Sequence, residues 1–143
     1  MRSNTVLLEQ SLPLALVVED NPVLRSVARR VLQQLGYDVR TASDGLSGVS
    51  VAEMTSFAVV LMDVQMPVLD GLECTRRIRR MELSTGEHAT VIGISAASSA
   101  EQCTAAGMDA FLQKPLNIES LKDILFPGKR LHTDLFQDVV RSA

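Results

Sequence analysis

The chain has 143 residues, 46% apolar and 22% charged, the proportions of one globular domain large enough to bury a core. Its net charge of −3 argues against a direct nucleic-acid role, which calls for a strongly basic face. Cys74 and Cys103 lack metal-type spacing and read as reduced, partly buried thiols. The apolar stretch at 12–18 is too short to span a membrane and runs into Glu19-Asp20 with no cleavage site, so no membrane insertion and a cytoplasmic location are expected.

Residues 14–18, Leu-Ala-Leu-Val-Val, form a continuous apolar run, as in a strand buried on both faces of a parallel sheet. Asn21 then caps a helix with Pro22 at its first position, and Gly36 stops it. A second strand is expected over 37–42 and a modest helix over 44–54. The strongest strand signal covers 57–63, ending on Asp63. Asp70-Gly71-Leu72-Glu73 has capping-box spacing and opens a helix to about residue 81. A fourth strand over 90–95 is followed by a capping-box match at 98–101 and a short helix stopping at Gly107. A fifth strand over 109–113, a Lys114-Pro115 turn and an Asn117-capped helix to residue 125 complete the pattern.

Five strands alternating with five helices indicate βαβ units in an α/β fold. A flavodoxin-like, doubly wound five-stranded parallel sheet of order 2-1-3-4-5 is expected. The domain is placed at 13–126. Residues 1–12 read as an N-terminal arm and 127–143 as a C-terminal linker or helical extension. Leu131, Leu135 and Val139 recur there at helical spacing, which suits a packed or dimer-forming helix and equally a frayed end.

In such folds ligands bind beyond the carboxyl ends of the strands. Those ends carry Glu19-Asp20, Asp63, Ser95 and Lys114. Three carboxylates brought together require a countercharge, and oxygen ligands of this kind suit Mg²⁺. Phosphoryl transfer needs positioning and charge neutralisation more than covalent help. Asp63 therefore reads as the nucleophile, Lys114 as a partner for a phosphoryl oxygen and Ser95 as a hydrogen-bond donor. No general base is expected, because a carboxylate is ionised at neutral pH. His88 and His132 fall outside the cluster.

Val-Val-Glu-Asp-Asn at 17–21, Leu-Met-Asp-Val-Gln-Met-Pro at 61–67 with Asp70-Gly71, Ile-Ser-Ala at 94–96, Gly-Met-Asp-Ala-Phe at 107–111 and Lys114-Pro115 occur in one order. Together they resemble the receiver domains of response regulators over about residues 14–125. The resemblance implies that Asp63 is the phosphoacceptor and that Mg²⁺ is held by Asp20, Asp63 and the Gln65 backbone carbonyl, with Glu19 acting through water. It also implies a cis peptide before Pro115 and a switch in which Ser95 moves toward the phosphoryl group while Phe111 turns inward. Partners would be a histidine kinase or a histidine phosphotransfer domain. The face of the fourth helix, fifth strand and fifth helix would carry the signal and any homodimer contact. Glu19 stands where Asp is commoner, and Ser95 where Thr is frequent.

The resemblance implies a phosphoacceptor with self-catalysed phosphoryl transfer and dephosphorylation rather than an enzyme, in a stand-alone regulator or, as the 66–71 and 107–110 stretches suggest, in a parent hybrid histidine kinase. A Mg²⁺-dependent aspartyl-phosphate-type phosphatase would need a second acid where Gln65 stands. A flavin carrier would need a phosphate-cradling first loop where Glu19-Asp20 stand. A receiver-like protein-binding module that is never phosphorylated is the remaining alternative. Arg76, Arg77, Arg79 and Arg80, flanked by Glu73 and Glu82, read as a solvated helix face.

Overall fold

Side-chain caps set where the helices begin in the computed structural model, which describes residues 11–98 and 100–128. After β1 (Leu14–Val18), the Asn21 side chain accepts the Val23 and Leu24 N–H groups at 2.9 and 3.0 Å and starts α1 (Pro22–Gln34). β2 (Asp38–Ala42) is followed by α2 (Gly45–Met54), where Asp44 accepts the Ser47 N–H at 2.7 Å. β3 (Val59–Asp63) leads to α3 (Gly71–Thr85), where Asp70 accepts the Glu73 N–H at 2.9 Å. β4 (Thr90–Ser95), α4 (Ala100–Ala106), β5 (Ala110–Gln113) and α5 (Ile118–Leu125) complete the chain, with Asn117 capping α5 through the Ser120 N–H.

Two boundaries differ from the expected ones by more than one residue. β3 starts at Val59, not at residue 57, although Ala58 already donates its N–H to the Leu14 carbonyl at 2.9 Å beside the ladder. α3 runs about a turn past residue 81, since no breaker precedes Gly86, whose φ of 75° ends it. The tail positions Leu131, Leu135, Val139 and His132, most of the expected arm, and Ser99 lie outside the described residues. Among the described residues, no helix is long and apolar enough to cross a membrane.

The strands are all parallel, in the order β2-β1-β3-β4-β5, with β3 central and β1 between β2 and β3: Val18 faces Ala42 on one side and Met62 on the other. This is the flavodoxin-like arrangement. Alternate residues commit to opposite layers. Ala15, Val17, Leu61 and Ile92 pack with Ala28, Val31 and Leu32 of α1 and Leu121 of α5. Leu16, Val18, Val60 and Met62 pack with Cys74 and Ile78 of α3 and Cys103 of α4. Full burial of such a side chain contributes about 1.5–3 kcal/mol. Both cysteines are free and buried, and burial pushes the Cys74 thiol up to about 11.

The amino ends of β4 and β5 are closed by ions. Arg76, Arg77 and Arg80 pair with Glu73 on the surface of α3. Arg79 turns inward instead. It meets Glu82 and Asp109 at 2.7 Å and donates to the Gly107 and Ala89 carbonyls. Asp109 also accepts the Val91 N–H and contacts His88 Nε2 at 2.8 Å. Burial opposes ionisation of Asp109, but His88, Val91 and Arg79 outweigh it and hold the carboxyl below its ordinary range. The expected solvated face is therefore three arginines, with the fourth tying α3 to the β4 and β5 entrances.

The approach of α3 to the carboxyl end of β3 requires a missing side chain. A Cβ at Gly71 would sit 2.8 Å from the Val64 Cα and closer still to the Asp63 carbonyl oxygen, while the Gly71 N–H bonds Val64 at 2.8 Å. Backbone atoms cannot give way cheaply, so Gly71→Ala is expected to lower stability by about 2–3 kcal/mol in urea unfolding. A change under about 0.5 kcal/mol would mean that α3 can retreat without strain.

Candidate functional site

The register brings the carboxyl ends of β1, β3, β4 and β5 to one edge, and the residues that follow the buried runs line it. Glu19 and Asp63 are buried there and Asp20 is exposed. Carboxylate oxygens of the three lie within 4.8 Å of one another. Lys114 reaches in from the end of β5, its Nζ 3.3 Å from Asp63 Oδ1 and 3.4 Å from Glu19 Oε1. The peptide joining Lys114 to Pro115 is cis.

Glu19 is held on every side. Its Oε2 accepts the Asn21 N–H at 3.1 Å, its carbonyl accepts Arg25 Nη1 at 2.9 Å, and its own N–H bonds the Ala42 carbonyl. Asp63 is less satisfied. Oδ1 accepts the Gln65 N–H at 3.3 Å and faces Lys114, but Oδ2 is buried with no hydrogen-bond partner. A buried, unpartnered carboxylate oxygen is costly and is the atom with which a cation or reacting group would engage. Hard oxygen donors around that atom fit Mg²⁺.

Burial, and next the Glu19 carboxylate, pushes the Asp63 carboxyl up to about 7, with Lys114 pulling the other way. Burial would depress the Lys114 ammonium, but Asp63 and Glu19 outweigh it and hold it above its ordinary value. Burial and the neighbouring Glu19 carboxylate thus work against the ionised form of Asp63 that the sequence leads one to expect.

Ser95, at the end of β4, is fully buried. Its hydroxyl donates to Gln65 Oε1 at 3.0 Å and accepts the Ala97 and Ser98 N–H groups at 3.0 and 2.8 Å. The Ser95 carbonyl accepts the Lys114 N–H at 2.9 Å, so hydroxyl and ammonium are positioned by one strand pair. Phe111 lies opposite Gly93 on β5, half-buried against the α3–α4 layer.

Every side chain expected at the site is brought to this edge except Phe111, which stands back along β5. The Gln65 side chain was not foreseen as a partner of Ser95; the resemblance had pointed to its backbone carbonyl. Val68 was also missed. It sits at φ 70° and is 94% exposed, with Leu69 N–H bonded to the Pro67 carbonyl across it. That is a strained γ-turn in the loop between β3 and α3, and no glycine marks it in the sequence.

The raised Asp63 value fixes the sign of a pH effect. The folded chain holds its proton above the ordinary 3.8, so stability falls as pH rises through about 7. In metal-free buffer Asp63→Asn is expected to raise stability by about 2 kcal/mol near pH 8, a gain that shrinks steadily toward pH 4. Thermal unfolding across that range checks it, and a pH-independent difference would contradict the assigned cause.

Residues 15–126 match the family model described as "Response regulator receiver domain". The chain is 35% identical over 151 residues to Histidine kinase 5 of Arabidopsis thaliana, covering 87% of this chain and 16% of that protein. It is 38% identical over 113 residues to the sensor histidine kinase RcsC of Salmonella typhi, covering 77% of this chain and 12% of that protein. The chain thus spans less than a fifth of the length of these curated relatives. A similar solved structure is the receiver domain of the sensor histidine kinase PA1611 from Pseudomonas aeruginosa PAO1, described with a magnesium ion coordinated in the active site cleft. It is 38% identical, with a TM-score of 0.72, covering 80% of this chain and 95% of that one. A parallel 2-1-3-4-5 sheet with its acidic edge, and a family match over nearly all the described residues, lead to one statement: the chain belongs to the response regulator receiver domain family of two-component signalling.

Proposed function

We propose that residues 13–126 form a phosphoacceptor domain in which Asp63 takes a phosphoryl group from a phosphohistidine. The observation that carries this reading is the buried Asp63 Oδ2, unpartnered while Oδ1 is held by Lys114 and the Gln65 N–H. A lone pair of that oxygen forms the new O–P bond as the P–N bond to the donor imidazole breaks. The bonding pair stays on the ring nitrogen, which then takes a proton from solvent. Lys114 meets a phosphoryl oxygen, and Ser95 donates its hydroxyl proton to another. Asp20, Asp63 and the Gln65 carbonyl would hold Mg²⁺, with Glu19 acting through water. When bound, the ion neutralises carboxylate and phosphoryl charge and keeps Asp63 ionised.

The added charge stabilises whichever conformation engages it best. Phe111, half-buried on β5 beside the Ser95 strand, is then the aromatic that turns inward, and α4, β5 and α5 form the output face, also available for homodimer contact. The relatives named above are histidine kinases, which supports a cytoplasmic receiver exchanging phosphate with a histidine kinase or histidine phosphotransfer domain. It also supports a segment of a hybrid kinase over a stand-alone regulator.

Incubation with acetyl phosphate and Mg²⁺, followed by intact mass, is expected to add one phosphoryl group, and neither Asp63→Asn nor omission of Mg²⁺ should allow it. An adduct that persists on Asp63→Asn would move the chemistry elsewhere. No adduct, together with no beryllofluoride binding, would leave a protein-binding module that is never phosphorylated. Ser95→Ala is expected to accept phosphate yet bind its phosphorylation-dependent partner at least about tenfold more weakly, the worth of one hydrogen bond to a charged group. Equal binding by the two phosphorylated forms would refute the role of the hydroxyl.

A further inference from the structure

Ser95 has one hydroxyl proton, and in this structure it is spent on Gln65. The oxygen accepts the Ala97 and Ser98 N–H groups, so both lone pairs are engaged as well. Donation to Gln65 Oε1 and donation to a phosphoryl oxygen are mutually exclusive. Gln65 also anchors the nucleophile, since its N–H bonds Asp63 Oδ1. Its backbone therefore serves Asp63 while its side chain occupies the switch hydroxyl.

We propose that the Gln65 side chain is a latch: it holds the Ser95 hydroxyl in the resting arrangement and sets how readily the domain passes to the phosphoryl-engaged state. This rests on the phosphoacceptor reading above and makes Gln65 a positioning residue acting through Ser95. The two ends of the bond are unequal. Ser95 is fully buried, so its proton finds no water when the acceptor is removed. Gln65 is exposed, and its amide returns to solvent at little cost when Ser95 leaves. Removing the Gln65 acceptor thus destabilises the resting state far more than the engaged one. By population shift, ligands of the engaged state bind more tightly.

The test is beryllofluoride affinity with Mg²⁺ on the whole chain, in a double-mutant cycle of Gln65→Met and Ser95→Ala. Methionine keeps the length of glutamine and lacks a strong acceptor. Gln65→Met is expected to tighten binding about five- to tenfold in the Ser95 background, the range of one buried donor left unpaired. In the Ser95→Ala background it should change affinity by less than about twofold. Gln65→Asn, too short to reach as well, should fall between Gln65→Met and the wild type. Weaker or unchanged binding by Gln65→Met in the Ser95 background, or an equal change in both backgrounds, would overturn the latch. Wild-type protein that binds no beryllofluoride would overturn the phosphoacceptor reading and the latch with it, whereas wild-type binding indifferent to Gln65 overturns the latch alone.

Discussion

Lys114 lies 3.3 Å from Asp63 and 3.4 Å from Glu19, and much of the edge of the sheet is arranged around that unequal contact. Two of the three carboxylates are buried, where like charges repel strongly and water cannot screen them. Burial first, and next the Glu19 carboxylate, pushes the Asp63 carboxyl up to about 7, with the single ammonium pulling the other way. The surrounding contacts hold the repelling groups in place: Asn21 and Arg25 fasten Glu19, and the Gln65 N–H fastens Asp63. The edge holds an excess of negative charge that a bound cation would relieve.

The sheet provides the means of concentrating that charge. Parallel strands with a helix in each connection all end on the same side. Within each strand, successive residues serve the two apolar layers, and the polar residue that ends the run lies at the edge. Glu19, Asp63 and Ser95 stand at those exits, and Lys114 follows the end of β5. Hydrophobic burial on two faces offsets the cost of packing two carboxylates against each other. Gly71 contributes by absence, since only a residue without a Cβ lets α3 start against the end of β3.

Few contacts join the edge to the rest of β4 and β5. The Ser95 carbonyl holds the Lys114 N–H, and Phe111 lies on β5 opposite the same strand that ends in Ser95. Ser95, the Lys114 backbone and the half-buried Phe111 thus share one strand pair. At the far end of β4 and β5, Arg79 joins α3 to Gly107, Ala89 and Asp109 and so ties those entrances together.

Much of the molecule was legible in the residues themselves. Apolar runs ending in Glu19 and Asp63, caps at Asn21, Asp70 and Asn117, and the alternation of periods two and 3.6 determine ten elements and their order, because these are local properties of the chain. The convergence of five functional groups follows once right-handed crossovers are assumed. Only the tertiary structure decided which lone pairs and protons meet. It turned Arg79 inward while its neighbours stayed out, raised the Asp63 carboxyl by burying it beside Glu19, placed Val68 at a strained φ without a glycine, and gave the Ser95 proton to Gln65. Those outcomes depend on ångström-scale distances between residues far apart in the chain, and no local pattern encodes such distances.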